Sequence, residues 1–160
     1  MHPNAQLIST FYSAFQRHDG EAMAACYHPE AEFSDPVFPG LRHAEVTSMW
    51  RMFCERAKEL EISFSDVQGD DRTGRAHWDA RYPFSATGRK VLNRIDAEFE
   101  FRDGKILRHT DRFDFWRWSS QALGPAGMLL GWTPFLRNKV RSQARASLEK
   151  YMRERGVAVK

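Results

Sequence analysis

Four aspartates frame the chemical question: Asp35, Asp79, Asp96 and Asp111. His77 and His109 each stand two residues before one of them. Paired carboxylates and histidine–carboxylate pairs suit proton transfer, because one group can hold a proton near neutrality while its neighbour stays ionised. Asp35 directly precedes Pro36 in the stretch AEFSDPVFPG. A carboxylate there is a useful base only where partial burial raises its pKa and an activated C–H lies close. The alternative is a turn residue that opens the bend toward Gly40.

The elements that carry these residues are strands. If Asp103-Gly104 is a two-residue turn, Arg102 pairs with Lys105. Asp96 then lies opposite Asp111, Glu98 opposite His109, and Arg94 opposite Phe113, all on one face. Two opposed aspartates repel when both are ionised, so one holds a proton, or Arg94 or a histidine compensates. The other face carries Ile95, Ala97, Phe99 and Phe101 beside Ile106, Arg108 and Thr110. Either the first face is the interior, which makes an acid/base pair, or it is a solvated charge ladder, since one bulge would flip the register. In AHWDARYPF, alternation puts His77, Asp79 and Arg81 on one face and Trp78, Ala80 and Tyr82 on the other.

Upstream, Leu7, Ile8, Phe11 and Phe15 recur at helical spacing after Asn4, a candidate cap. Asp19 starts a short second helix that ends at His28-Pro29, and a brief strand follows at Ala31–Ser34. Val46, Met49, Trp50, Phe53, Cys54 and Ala57 mark one face of a third helix. The period then changes to two from Leu60, with strands expected at about 74–84, 89–101 and 105–118. Thr133-Pro134 caps a last helix, on which Leu136, Val140, Ala144, Leu148 and Met152 form a four-step stripe. Helices followed by an antiparallel meander indicate an α+β class.

A chain of 160 residues with 12 Phe and 5 Trp can close around one large aromatic core. Its net charge of +3 is uneven, with eight Lys/Arg against two Glu from Leu136 onward. Such a tail suits nucleic acid or anionic lipid, or is simply a solvated helix face; without a stacking module, the solvated face is expected, with no nucleic-acid and no membrane partner. Cys26 and Cys54 are expected as buried free thiols, with no metal site and a cytoplasmic location.

The order of elements resembles the nuclear transport factor 2-like superfamily, most nearly its SnoaL-like branch. The resemblance is carried by FYSAFQRHDGEAMAACYHPEAEFSDPVF, FRDGKI and RHTDRFDFWRW, which span Leu7 to Trp118. The tail ALGPAGMLLGWTPFLRNKVRSQA looks like an extension found in some members. The resemblance implies a cone-shaped α+β barrel: three N-terminal helices packed on a curved antiparallel sheet, with a C-terminal helical extension. The cone domain is expected over 1–118 and the extension over 119–160. It further implies a cavity for a hydrophobic ligand, as in ketosteroid isomerases, polyketide cyclases and limonene-epoxide hydrolases.

Carried over residue by residue, the resemblance makes Asp35 the general base and Asp96 a protonated oxyanion-hole acid. Asp111 and Asp79 fall on the two acidic positions of the epoxide hydrolases. His77 replaces their arginine, and His109 accompanies Asp111. Phe11 falls where the isomerases have a tyrosine, and a phenyl ring cannot donate a hydrogen bond. The expected catalytic set is therefore Asp35, Asp96, Asp111 and His109. The expected ligand-binding set is Phe11, Phe15, Trp50, His77, Asp79, Arg94 and Phe113. The expected function is cofactor-independent acid/base chemistry on a small hydrophobic molecule, of isomerase, cyclase or hydrolase type; the alternative is a binding or interaction module without turnover. Trp78, Tyr82 and Trp116 would be costly to expose together, so a homodimer is expected.

Overall fold

The computed structural model describes residues 1–158. The elements in chain order are α1 (Pro3–Gln16), α2 (Gly20–Ala24), β1 (Tyr27–Ser34), β2 (Leu41–Arg42), α3 (His43–Arg56), β3 (Glu61–Gly69), β4 (Thr73–Pro83), β5 (Lys90–Arg102), β6 (Lys105–Arg112), α4 (Phe115–Leu123), α5 (Pro125–Leu130) and α6 (Pro134–Glu154). One six-stranded sheet has the order β2-β1-β6-β5-β4-β3. It is curved and unclosed, the cone fold that the sequence implies. All neighbours are antiparallel except β1 and β6, which run parallel. Helix α1 packs on β3 and β4, and α3 packs on β1 and β2. Their apolar faces join the inward strand residues in a core of Ile8, Phe11, Phe15, Phe33, Met49, Trp50, Trp78 and Phe99.

Several boundaries differ from the sequence reading, each for a local reason. The α1 cap is His2, whose ring accepts from the Asn4 amide, while the Asn4 side chain donates to the Asp70 carbonyl at 2.9 Å. Helix α2 stops at Ala24, and β1 already starts at Tyr27. Pro29, with no N–H to give, lies where the β1–β6 pairing shifts between Tyr27 and Glu32. The last strand ends at Arg112 because Asp114 caps a helix, accepting from the Arg117 amide at 3.0 Å. Helix α4 thus runs across the expected 118/119 boundary. Thr133 caps α6 as expected, accepting from the Leu136 amide at 3.3 Å.

The decisive correction is in the last hairpin. Asp103 and Gly104 both have positive φ, so the turn is the two-residue kind, and Arg102 pairs with Lys105. Between Phe101↔Ile106 and Glu100↔Arg108, however, β6 carries one extra residue, a bulge at Leu107. Beyond it, Phe99 faces His109, Ala97 faces Asp111, and Asp96 faces Arg112. The two aspartates are not opposed. His109 and Asp111 turn inward beside the apolar face of β5, while Arg94 and Asp96 stay on the exposed outer face. On β4, Trp78 is core, and His77, Asp79 and Arg81 lie on the outer face.

Candidate active site

Asp35 is both a turn residue and an enclosed carboxylate. Its Oδ1 accepts from the amides of Val37 at 2.7 Å and Phe38 at 2.6 Å. These bonds fix the carboxyl group in place and leave Oδ2 as the oxygen not committed to the turn. Solvent still reaches the residue, which is only half-buried. Protein atoms nevertheless crowd the carboxyl. Desolvation is therefore the main influence, and the pKa is pushed up from 3.8 to about 7. The Asp111 charge raises it further, while the two turn amides and Arg141 oppose the rise.

Asp111 sits deeper, at 3% exposure. Its Oδ1 accepts from His109 Nε2 at 2.9 Å, with a longer contact to Trp78 Nε1 at 3.4 Å. The network continues inward. Trp50 Nε1 donates to the Tyr27 hydroxyl at 2.8 Å, and that hydroxyl lies 2.8 Å from His109 Nδ1. A consistent direction follows: Tyr27 accepts from Trp50 and donates to Nδ1, so His109 carries its proton on Nε2 and donates to Asp111. His109 thus orients Asp111, and its ring stands edge-on to Phe11 and Phe33.

Tyr12 completes the inner end. Its hydroxyl is buried and has no hydrogen-bond partner among the described residues. Burial raises its pKa most, followed by the Asp111 and Tyr27 charges, so it stays a neutral donor close to that carboxylate. An unpaired buried hydroxyl costs roughly 1–3 kcal/mol, which a ligand oxygen or a water would relieve. Phe11 cannot donate, but the next residue on α1 can.

The C-terminal elements pack over the turn that holds Asp35. Phe115, Trp118 and Ala122 of α4 form a second cluster with Val91, and Val37, Tyr82 and Phe113 pack against both clusters. The Tyr82 hydroxyl accepts from Trp118 Nε1 at 2.7 Å. Its pKa is raised by burial, with a further rise from the Asp35 charge. Arg141 of α6 donates to the Pro36 carbonyl at 2.8 Å. On the inward face of β5, Asn93 is also buried.

Of the expected site residues, His109 and Asp111 are buried and joined by a hydrogen bond, the Asp111 charge acts on Asp35, and Phe113 packs against both apolar clusters. Phe11, Phe15 and Trp50 are buried rings of the core behind it. Four others are displaced to the outer face by the sheet register: Asp96, Arg94, His77 and Asp79. There His77 bridges Asp96 at 2.9 Å and Asp79 at 2.8 Å. Those bonds, the one to Asp96 foremost, raise its pKa. Sequence reasoning missed the roles of Tyr27 and Arg141. Tyr12 stood one position from the expected tyrosine. A groove of about 490 Å³ also opens on the outer face, lined by Arg75, Glu98, Glu100, Arg108 and Thr110. Its charges are answered locally, Arg108 by Glu100 at 3.2 Å and Arg112 by Glu98 at 3.3 Å.

A model of the SnoaL-like domain matches residues 8–109, which include most of the cone and His109. The chain belongs to the SnoaL-like domain family. Among curated proteins none matches this SnoaL-like chain in sequence. Among solved structures it is similar to a putative polyketide cyclase from Xanthomonas campestris pv. campestris, at 20% identity and TM-score 0.62, covering 74% of this chain and 96% of that one. It is also similar to an LEH-like epoxide hydrolase from M. tuberculosis, at 17% identity and TM-score 0.63, covering 80% and 96%. An NTF2-like protein from Burkholderia thailandensis aligns at 22% identity and TM-score 0.67, covering 78% and 100%. These likenesses carry the fold. No described helix is long and apolar enough to cross a membrane.

Proposed function

We propose that this SnoaL-like domain binds a small hydrophobic molecule beside the Asp35 turn, under α4, and moves a proton on it. Asp35 is the proton acceptor, through Oδ2. Asp111 is the second carboxyl, oriented by His109, and Tyr12 donates to oxygen that gains charge at the inner end. One observation carries the reading: Asp35 is pinned through Oδ1 by two turn amides while its pKa is lifted to about 7. A base near neutrality is present in both forms and can take and return a proton. The half-buried rings of Phe53, Tyr82 and Phe113 suit an apolar or aromatic ligand. Isomerisation, aldol-type cyclisation and epoxide opening all use such a pair, and the similar cyclase and epoxide hydrolase-like structures favour this group of reactions.

A second reading, binding without turnover, is favoured by one feature: Phe11, Phe15, Trp50, Trp78 and Phe99 fill the interior to 5% exposure or less. A panel of ring-bearing carbonyl compounds and epoxides, followed by mass spectrometry, separates the two. The first reading expects product formation that rises with pH through about 7. Asp35→Asn should lose about 100-fold or more, while Asp96→Asn on the outer face stays within about twofold. Thermal stabilisation by panel members with no product anywhere would leave the binding module. The expected homodimer belongs to the same proposal, although Trp78 is buried, Tyr82 is half-buried against the core and only Trp116 of the three invoked rings is exposed. Light scattering of the full chain tests it.

A further inference from the structure

Among the described residues, apart from Met1, every exposed large hydrophobic side chain lies between Trp116 and Phe135, on α4, α5 and the start of α6. Leu129, Trp132 and Phe135 are 72%, 73% and 70% exposed, and Trp116, Met128 and Leu130 stand with them. The patch sits on a well-packed scaffold. Trp116 Nε1 donates to the Met128 carbonyl at 3.0 Å. Gly127 and Gly131 bring their backbones so close to Ser119 that a Cβ at either position would collide with it. The rings are therefore held out on a preformed wedge.

Charge says what covers it. From Phe115 to Leu148 the sequence has no Asp or Glu. Of the bases in that span, Arg145 pairs with Glu45 and Glu149, and Arg141 is engaged by the Pro36 carbonyl. Arg117, Arg137 and Lys139 make no ion pair among the described residues, and Arg137 lies over the Phe115 ring. A second copy docked wedge to wedge would set these bases against each other with no acid in the span to answer them. A polyanion alone would leave Leu129 and Leu130 without an apolar partner. An anionic bilayer surface answers both features: acyl chains take the aliphatic tip, head groups take the bases, and Trp116 and Trp132 suit the boundary between them.

We propose that the α4–α5 wedge docks this domain on the surface of an anionic membrane, without spanning it. The proposal departs from the expectation of no membrane partner because of where the fold leaves these side chains, not because of composition. Each base near an anionic leaflet strengthens binding by about fivefold, so three give a preference on the order of 100-fold. The test is sedimentation of the full chain with vesicles of phosphatidylcholine alone and of phosphatidylcholine with one quarter phosphatidylglycerol. Binding to the anionic vesicles should be tighter by about that factor, weaken with salt, and shift tryptophan emission to the blue. Trp132→Ser with Phe135→Ser should weaken it about tenfold or more. Arg117→Gln, Arg137→Gln and Lys139→Gln together should abolish the lipid preference. All these positions are exposed, and melting temperatures check that the variants stay folded. Equal binding to both vesicles, no binding, or binding unchanged by the double variant overturns the proposal. So does a dimer that the double variant dissolves, seen with no vesicle binding, or binding to duplex DNA alone.

Discussion

Replacing Asp35 by Asn should stabilise the protein at pH 8 and do much less at pH 5. Asn keeps the shape of Asp and an oxygen for the amides of Val37 and Phe38, but it cannot ionise. The wild-type carboxyl titrates near 3.8 in the unfolded chain and at about 7 in the fold. A raised folded pKa in an acid means that the fold binds the proton more tightly. The associated stability is present at low pH and is lost as pH rises from about 4 to about 7. The full span corresponds to about 4 kcal/mol, of which about 2.5 kcal/mol falls between pH 5 and pH 8. Solvent reaches Asp35, so about 2 kcal/mol is the expected growth in the variant's advantage over that interval. Urea denaturation of both proteins at pH 5, 6, 7 and 8 reads it directly. Other titrating groups are common to both chains and largely cancel in the difference. A difference that stays flat with pH, or a variant less stable at pH 8, would refute the enclosed carboxyl.

Three further changes test the frame around that residue. Tyr27→Phe removes the hydroxyl shared by Trp50 and His109, leaving a buried donor and acceptor unpaired; a loss of roughly 2–3 kcal/mol is expected in thermal unfolding. Arg145→Met strands the buried carboxylate of Glu45, to which Arg145 is ion-paired, on the α3–α6 contact. Because Arg145 itself is partly exposed, about 1–3 kcal/mol should be lost, and Glu45→Gln in the same background should recover part of it, as a double-mutant cycle in urea would show. His77→Asn tests the outer face. Its folded pKa is raised by Asp96 and Asp79, so the stabilisation is present below pH 6.5 and disappears as pH rises past the folded value. Denaturation curves should show a loss of about 0.5–1 kcal/mol at pH 6 and almost none at pH 9.

The fold was legible where one rule acted alone. Helical spacing from Val46 to Ala57 marks α3, Asp103-Gly104 marks the hairpin, and Thr133-Pro134 marks the start of α6. Asp35 was legible as a candidate because both of its roles have a signature before proline, and the fold uses both. The other half of the expected pair was lost at Leu107. A two-residue turn sets register only up to the next irregularity, and nothing in KILRHTD marks a bulge: no glycine, no proline. That one residue sends His109 and Asp111 inward while Asp96 stays out. The strand expected to run to 118 ends at Arg112 instead, because Asp114 caps α4 by accepting from the Arg117 amide, which outweighs the β propensity of FWRW. The exposure of Trp132 and Phe135 was unreadable, because a local run such as MLLGWTPF looks the same in a core and on a wedge.

The proposed proton acceptor, Asp35, is expected to hold its proton to near neutrality because desolvation and the Asp111 charge disfavour its ionised form. Carboxyl-carbon NMR of aspartate-labelled protein, titrated from pH 3 to pH 9, measures this with no substrate at all. The Asp35 resonance, assigned by its loss in Asp35→Asn, should show a midpoint of about 7 that moves downward in Asp111→Asn. A midpoint near 4 that Asp111→Asn leaves in place would contradict the account.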